Sequence, residues 1–578
     1  MAQKRRWFLW LFVVAFLVLF TIGYFSGHIQ PRSVLVLELS GALEEQKPPG
    51  AWGATMGNDI TVLYQLLDSI DAAKGDSRIT GLVVKISNPG GNWAKLEEIR
   101  QHLNAFGASG KPAICFLSGD FNRNRDYYVA TGCSQIWLMP SSPLAVSGLM
   151  TESQFYRGIF DKLRIYPDFY HIAEYKTAAN QYTEKKYTPA HREMADSILR
   201  ATYAQYTGDV GSARKMEPSE VDQLLQQGPF LADESLKSKL VDRLAYYDEV
   251  QQFFRDKNRD WRPVELAKYF KQIRNLGSDK IAVVHATGLI VVGESQWTPF
   301  SGFIMGSDSI AADLRLAAND SSVKSIVLRI DSPGGSSVAS EIIHREVQMA
   351  QKKKPVVVSM SDVAGSGGYW IAMSSNRIVA DAGTLTGSIG VVFGKMNISG
   401  LYDLIGLSSD HLQTSDNATF LWPEQNFTPE QQAAVQKLMH KIYDDFTAGV
   451  AAGRHMTVEQ VDLIGRGRVW TGEQAKGIGL IDEVGGYSRA VAIARELGHV
   501  AGDAKVQIVH YPRERSFLES IWPSSDDHES TSFVDLLMMK AGNKQTVTAA
   551  ALASELRRAA TREGDPVQVR MPVAFDIR

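Results

Sequence analysis

The chain has 578 residues, more than a single hydrophobic core usually supports, so we expect two or more domains. A formal net charge of −3 excludes a general nucleic-acid-binding protein, which would carry a strong basic excess. The two cysteines, Cys115 and Cys133, exclude a disulfide scaffold and a multi-cysteine metal site. A predicted helix lies between them. We expect both cysteines to be buried free thiols, although a disulfide between them is geometrically conceivable.

An uncharged, apolar run from Trp7 to Phe25 follows the basic residues Lys4, Arg5 and Arg6. As a helix this run would span about 28 Å, close to the thickness of the hydrocarbon core of a bilayer. It is longer than the apolar core of a usual signal peptide, and a poor cleavage site follows it. We therefore predict a cytoplasmic tip and an uncleaved transmembrane anchor at residues 1–30. The positive-inside rule keeps the basic end in the cytoplasm and places the remaining chain outside it.

The rest of the chain contains a long internal repeat. Residues 79–91, ITGLVVKISNPGG, return at residues 323–335 as VKSIVLRIDSPGG, and each stretch reads as a buried strand that ends in a Pro-Gly-Gly turn. Both copies alternate short β-branched strands with helical stretches, which predicts α/β domains with much parallel pairing. A repeat of this length indicates two similar domains rather than a solenoid, whose unit spans about 20 to 50 residues. We predict the following boundaries: a first domain at residues 31–275, a second at 276–500, and a tail at 501–578.

The second copy carries a serine among glycines, Ser366 in SDVAGSGGYWIAM. Glycines weaken a helix interior, so this stretch is better placed at a helix start, where backbone N–H groups point outward. The nearby DSPGGSS at residues 331–337 is a second glycine turn. The N–H groups of Gly334, Gly335 and Gly367 could together bind a developing oxyanion. A tight strand-to-helix turn is the simpler explanation for each motif taken alone.

The two copies differ where this chemistry would take place. Where the second copy has SDVAGSGGYW, the first has SGDFNRNRDYY, so the position of Ser366 falls at Arg123 or Asn124. The first copy instead carries Lys176, opposite Asp416 or a neighbour of Asp416. Burial between two domains could lower the pKa of a lysine enough for its neutral amine to accept a serine proton. The sequence thus offers a nucleophile from one copy and a general base from the other.

These features together closely resemble the signal peptide peptidase A family, also called protease IV, in its long tandem form. The resemblance covers about residues 30–500 and rests on the anchor, the two copies, EYKTA in the first, and DSPGGS, GSGGYW and TLTGSIG in the second. It implies two tandem ClpP/crotonase-like domains with Ser366 as nucleophile and Lys176 as general base. Ser388 in TGSIG is then a hydrogen-bond partner of Lys176, although the first copy keeps Ser147 nearby and a structural role is the alternative.

The resemblance also implies what the protein does and where. The family consists of serine endopeptidases that degrade cleaved signal peptides, and we extend this to other unfolded apolar peptides. A homotetramer is implied, anchored in the bacterial inner membrane through the N-terminal helix, with periplasmic catalytic domains. No cofactor, no metal and no nucleic-acid partner is expected.

Two other interpretations stay open at this point. Ser366 could work with a histidine, for which His411 is best placed, with Asp410 or Asp416 to orient it. Alternatively, the chain could be a non-proteolytic anchored scaffold or acyl-binding protein, because crotonase-like folds use similar glycine turns to hold thioester oxygens. The complementary serine and lysine of the two copies count against this last interpretation.

Overall fold

The computed structural model describes residues 28–48, 60–273, 277–298, 301–501, 505–513, 567–570 and 576–577. The predicted membrane anchor at Trp7–Phe25 lies outside these ranges. Within them, no helix combines the length and the hydropathy that a membrane crossing requires. We call the described residues up to 273 the first half of the chain and those from 277 onward the second half.

The first half alternates strands and helices from Ser33 to Phe270. The strands are β1 Ser33–Gly41, β2 Leu43–Glu44, β3 Thr61–Val62, β4 Ile79–Pro89, β5 Ala113–Leu117, β6 Asn122–Arg123, β7 Gln135–Leu138, β8 Leu144–Ala145, β9 Thr151–Glu152, β10 Tyr166–His171, β11 Arg243–Leu244 and β12 Pro263–Glu265. The helices are Leu63–Gly75, Trp93–Gly107, Asn124–Ala130, Arg157–Lys162, Asn180–Thr183, Pro189–Arg214, Pro218–Leu225, Ala232–Lys237, Tyr247–Asn258 and Leu266–Phe270, with a 3-10 turn at Thr177–Ala179.

The second half repeats this alternation. The strands are β13 Asp279–Thr287, β14 Leu289–Val291, β15 Gln296–Thr298, β16 Gly302–Gly306, β17 Val323–Ser332, β18 Gly334–Ser336, β19 Val356–Gly365, β20 Arg377–Ala380, β21 Leu385–Gly387, β22 Val392–Asn397, β23 Val469–Thr471, β24 Glu483–Val484, β25 Val506–Tyr511, β26 Val567–Arg570 and β27 Asp576–Ile577. The helices are Ser307–Asn319, Ser337–Gln351, Gly367–Trp370, Ser399–Ile405, Pro429–Arg454, Val458–Ile464, Gly472–Gly477 and Tyr487–Leu497, with a 3-10 turn at Asp416–Thr419.

Each half builds its own sheet around six parallel strands, and these six strands follow one order in both halves; the sheet of the second half also contains β21 and its antiparallel neighbour β23. The first runs β11-β7-β5-β4-β1-β12, and the second runs β24-β20-β19-β17-β13-β25. Their central strands are continuous apolar runs, such as Leu82–Val84 in β4 and Ile326–Leu328 in β17, because a parallel sheet is covered on both faces. The predicted α/β class is therefore confirmed. The last strand of the second sheet, β25, lies beyond residue 500, where the repeat was expected to end.

A third sheet joins the two halves. The aromatic strand β10 of the first half pairs antiparallel with β22 of the second half, with Phe169 opposite Gly394. The same sheet continues through β26, β18, β14, β16 and β15. Since β10 ends at His171, this pairing carries the following segment, with Lys176, across to the second half.

A buried ionic cluster also links the halves. Arg329 on β17 is 1% exposed and reaches two carboxylates of the first half. Its Nε and Nη2 donate to the two oxygens of Glu45 at 3.0 and 3.1 Å, and its Nη1 and Nη2 donate to the two oxygens of Glu98 at 2.9 Å each. Burial by itself raises the pKa of Glu45, but Arg329 and Lys95 bring it down to about 2. The cluster therefore holds full charges between the halves, and bidentate pairing compensates for their desolvation.

The two cysteines are joined, so the expectation of two buried thiols is wrong. Cys115 lies on β5, and Cys133 follows the helix Asn124–Ala130, which packs back against that strand. Their Cα atoms are 5.7 Å apart and the two sulfurs form a disulfide. The sequence showed that the cysteines flank a helix, but the distance between them depends on how the helix folds back.

Candidate active site

Ser366 stands at a strained turn between β19 and the helix Gly367–Trp370. Its φ and ψ are 57° and −116°, a left-handed backbone that non-glycine residues seldom adopt. Its N–H donates to the Gly387 carbonyl at 2.8 Å, and its carbonyl accepts from the Trp370 N–H at 2.9 Å. Such strain persists only where the surroundings enforce it and is concentrated at functional sites.

Lys176 of the first half reaches this serine. Its Nζ lies 2.6 Å from Ser366 Oγ, and both residues are 0% exposed. The separation is within the reach that a general base needs. The structure therefore brings together the two residues that the comparison of the copies singled out.

The surroundings of the Lys176 amine favour its neutral form. Its Nζ donates to the Ser388 carbonyl at 2.9 Å and lies 3.0 Å from Ser388 Oγ. Burial lowers the pKa of Lys176 well below its ordinary value, and no carboxylate among the described residues opposes that shift. A neutral amine has two N–H groups and one lone pair. With its N–H groups directed at Ser388, the lone pair faces the hydroxyl of Ser366.

A close backbone approach allows the lysine to sit there. Gly467 has a φ of 82°, and a Cβ at this position would lie 2.4 Å from the backbone nitrogen of Lys176. On one side of Gly467 the Arg466 carbonyl accepts from the Tyr175 N–H at 3.2 Å. On the other side the Arg468 carbonyl accepts from the Ser388 N–H at 2.7 Å. Sequence reasoning missed this role of Gly467. A comparison of the two copies could have found this role, because the first copy has a glutamine, Gln226 or Gln227, at the corresponding position.

The glycine turn lies against the residue that follows the serine. A Cβ on Gly367 would be 3.2 Å from the Gly335 nitrogen and 3.3 Å from the Gly334 Cα. The N–H of Gly334, whose φ is 97°, donates instead to Ser332 Oγ at 3.1 Å. Of the three predicted oxyanion donors, Gly334 is therefore engaged within its own turn. The amides of Gly335 and Gly367 are the two that border the serine.

The first half also fixes both chain segments that carry the site. Lys95 is buried, and its Nζ lies 2.7 Å from an oxygen of Asp331, the first residue of the glycine turn, and 3.7 Å from one of Asp362. The Asp362 carboxylate accepts from the backbone N–H groups of Asn92 at 2.7 Å and Lys95 at 3.0 Å, at the start of the helix Trp93–Gly107. Sequence reasoning missed this contact, because nothing in the local pattern marks Lys95 as buried.

The residues of the histidine alternative lie elsewhere. His411 is exposed, its ring packs 4.1 Å from that of Trp422, and its backbone N–H donates to Asp410. Asp416 is also exposed, at the start of the 3-10 turn Asp416–Thr419. Neither side chain contributes to the surroundings of Ser366. No cluster of three or more potential metal ligands occurs within the described ranges.

The first half shows what replaces the serine there. In the first copy the Tyr127 hydroxyl donates to the Leu240 carbonyl at 2.8 Å. In the second copy the Tyr369 hydroxyl makes the equivalent bond to the Leu480 carbonyl at 2.7 Å. This correspondence places Asn124, rather than Arg123, opposite Ser366. The Asn124 amide donates to the Gly148 carbonyl at 2.7 Å, so in the first copy the position carries a structural contact.

Comparison with known proteins shows which family this chain belongs to. Residues 105–259 and 348–501 match the model of peptidase family S49, and these segments contain Lys176 and Ser366 respectively. A chloroplastic serine protease SPPA of Arabidopsis thaliana is 32% identical over 88% of this chain and 76% of its own. Protease 4 of Salmonella typhi is 33% identical over 89% of this chain and 86% of its own. Protease 4 of Haemophilus influenzae is 29% identical over 86% of this chain and 84% of its own.

Proposed function

The chain belongs to peptidase family S49, and we propose that it is a serine endopeptidase with Ser366 as nucleophile and Lys176 as general base. The observation that carries the proposal is the 2.6 Å contact between a buried serine hydroxyl and a buried lysine amine without a carboxylate partner among the described residues. A serine hydroxyl is a weak nucleophile unless an adjacent base takes its proton.

The geometry supports the following sequence of steps. The lone pair of Lys176 accepts the Ser366 proton while Oγ bonds to the scissile carbonyl carbon, and the N–H groups of Gly335 and Gly367 stabilise the oxyanion. The lysine ammonium, held by the carbonyl and hydroxyl of Ser388, then protonates the leaving amine, and an acyl ester remains on Ser366. Water hydrolyses the ester with Lys176 again acting as base.

The substrates we propose are unfolded apolar peptides, including signal peptides left after preprotein cleavage. Both Ser366 and Lys176 are 0% exposed, so a folded surface cannot reach them. An extended chain can reach such a site by adding to a sheet edge through its backbone. Signal peptides as the natural substrates follow from the family resemblance.

A folded substrate and its unfolded form should be cut at very different rates. We expect a small protein kept unfolded by reduction of its disulfides to be cleaved at least about 100-fold faster than its oxidised, folded form, because a stable domain opens only rarely. The measurement is the initial rate of fragment appearance for both forms at equal concentration, with the Ser366→Ala chain as the blank. Equal rates for the two forms would contradict the substrate class.

We also propose a single-pass protein of the bacterial inner membrane, anchored by residues 7–25, with its catalytic part in the periplasm and assembled as a homotetramer. The basic residues before the apolar run support this orientation. The Cys115–Cys133 disulfide also supports it, because such bonds persist in oxidising compartments. The tetramer rests on the family resemblance and would be read from the mass of the protein in detergent.

The oxidised state of the cysteines tests the compartment. Growing cells are treated with acid to preserve the redox state of their thiols, and the protein is then denatured and treated with a maleimide polymer. We expect the polymer to modify neither cysteine before reduction of the protein and both cysteines after it. The Cys133→Ser chain is the control, since it should accept one label in both states. Two labels before reduction would place the catalytic part in a reducing compartment.

A further inference from the structure

The strand that leads to the serine bulges beside the glycine turn. β19 and β17 pair in parallel, but the register shifts after Ile330, and pairing resumes with Ala364 opposite Ser332. Asp331 alone spans this gap on β17, whereas the three residues Ser361–Val363 fill it on β19. Bulges are over-represented next to active sites, where they re-aim a side chain. This one directly precedes the strained serine turn.

Asp331 closes the bulge and ties it to Lys95 of the first half. One carboxylate oxygen of Asp331 accepts from the Val363 N–H at 3.2 Å. The other oxygen lies 2.7 Å from Lys95 Nζ. Burial by itself lowers the pKa of Lys95, but the carboxylates around it, that of Asp331 first, raise it above the ordinary lysine value. Lys95 is therefore a cation, and its contact with Asp331 is a buried ion pair.

This ion pair connects the two chain segments that carry the oxyanion donors. We call Lys95, Asp331 and Val363 the clamp. Asp331 lies four residues before Gly335, and Val363 lies four residues before Gly367. An oxyanion needs each donor at about 2.7–3.1 Å from its oxygen. A shift of one segment against the other would move one of the two N–H groups out of that range.

The repeat shows that the fold itself does not need these charges. The matching registers of β4 with β5 and of β17 with β19 align the two copies residue by residue. By this alignment the counterparts of Lys95 and of its two nearest carboxylates are all uncharged, namely Ala339 for Lys95, Ser87 for Asp331 and Gly119 for Asp362. The same strands and helix are thus built without the charges, which occur only where the first half meets the copy that carries the serine.

We propose that Lys95 is a positioning residue, which holds the N–H groups of Gly335 and Gly367 at the separation that an oxyanion requires. This inference rests on the proposed peptidase function of the site. Lys95 acts through the Asp331 carboxylate rather than on the reacting atoms. The first half thus supplies two lysines to one site, a neutral Lys176 as base and a charged Lys95 as support.

Loss of the Lys95 cation should lower kcat and leave KM unchanged. Two chains are measured on an unstructured peptide, Lys95→Met and the triple variant Lys95→Met, Asp331→Asn, Asp362→Asn. The triple variant leaves no charge of this group unpaired, so it should melt close to the wild-type temperature. We expect kcat to fall at least about 10-fold in both chains, with KM within about twofold of wild type. The apparent pKa of the rate should not move, because Lys176 keeps its surroundings.

An inhibitor that forms an oxyanion separates positioning from general damage to the groove. A peptide aldehyde adds reversibly to Ser366: Oγ bonds to the carbonyl carbon, the hydroxyl proton passes to Lys176, and the aldehyde oxygen takes the negative charge. The peptide alcohol of the same sequence occupies the groove but forms no such bond. In the triple variant we expect the aldehyde to bind at least about 10-fold more weakly and the alcohol to bind within about twofold of wild type.

Lys111→Met is the matched control, since Lys111 Nζ donates to carbonyls within the first half, those of Ala73 at 2.8 Å and Asp76 at 2.7 Å. It should change neither kcat nor either affinity. Equal weakening of aldehyde and alcohol, or an unchanged kcat in the triple variant, would overturn the positioning role and leave the proposed function standing. A wild-type chain that binds the aldehyde no more tightly than the alcohol would overturn the proposed function, and this inference with it.

Discussion

Ser366→Ala is expected to abolish peptide cleavage and inhibitor labelling, and Lys176→Met is expected to lower kcat by at least about 10³. The lysine amine lies 2.6 Å from the serine hydroxyl, whose proton it accepts in the proposed mechanism, and methionine offers no lone pair of comparable basicity. Lys176→Arg should fail as well, because a guanidinium stays protonated and cannot accept the proton. The measurement is the single-turnover rate on an unstructured peptide. Lys186→Met is the matched control, an exposed lysine of the same segment whose loss should leave the rate unchanged.

Two further readouts separate a lost base from a damaged fold. The wild-type rate should rise with pH as Lys176 loses its proton, with an apparent pKa below the ordinary lysine value, because burial lowers that pKa. Below the unfolded-state pKa of about 10.4, unfolding lets the amine take up a proton, so burying it neutral destabilises the fold at neutral pH. Lys176→Met removes that penalty and should melt at the wild-type temperature or above. An active Lys176→Arg chain, or an inactive His411→Ala chain, would contradict the assignment.

Arg329→Met is expected to destabilise the chain by about 3–5 kcal/mol, the largest effect on stability that we predict. The change would leave Glu45 and Glu98 buried without the guanidinium that now bonds both carboxylates. Arg329→Lys should recover little of this loss, since one ammonium cannot replace two bidentate pairs. The measurement is the thermal midpoint together with the urea midpoint, both followed by circular dichroism.

The repeat supplies a matched control for this second prediction. Lys85 holds the position of Arg329 in the first copy, but its ion pair with Glu38 lies at the surface, with side chains 37% and 65% exposed. Lys85→Met should therefore change stability by less than about 1 kcal/mol. A triple replacement of Arg329, Glu45 and Glu98 by apolar residues should recover most of the loss, because no charge then remains unpaired. Equal effects of Arg329→Met and Lys85→Met would show that the buried cluster does not hold the halves together.

The sequence by itself determined the class of fold and singled out the two residues of the proposed dyad. Apolar runs rich in β-branched residues, such as Leu82–Val84, are local patterns, and where turn residues bound them they are typical of buried parallel strands. The repeat then acted as an internal comparison. It showed a serine turn in one copy and Lys176 in the other, and a difference between two copies can be read without knowing any distance.

Only the tertiary structure decided how these residues meet. Lys176 and Ser366 are 190 positions apart, and their contact depends on the pairing of β10 with β22 across the two halves. The burial of Lys95 and Arg329 could not be predicted, because local sequence does not distinguish a buried cation from the commoner exposed one. The disulfide and the position of β26 depended on long-range contacts in the same way. Propensity acts over a few residues, whereas the burial and pairing of a side chain depend on which distant segments the folded chain brings beside it.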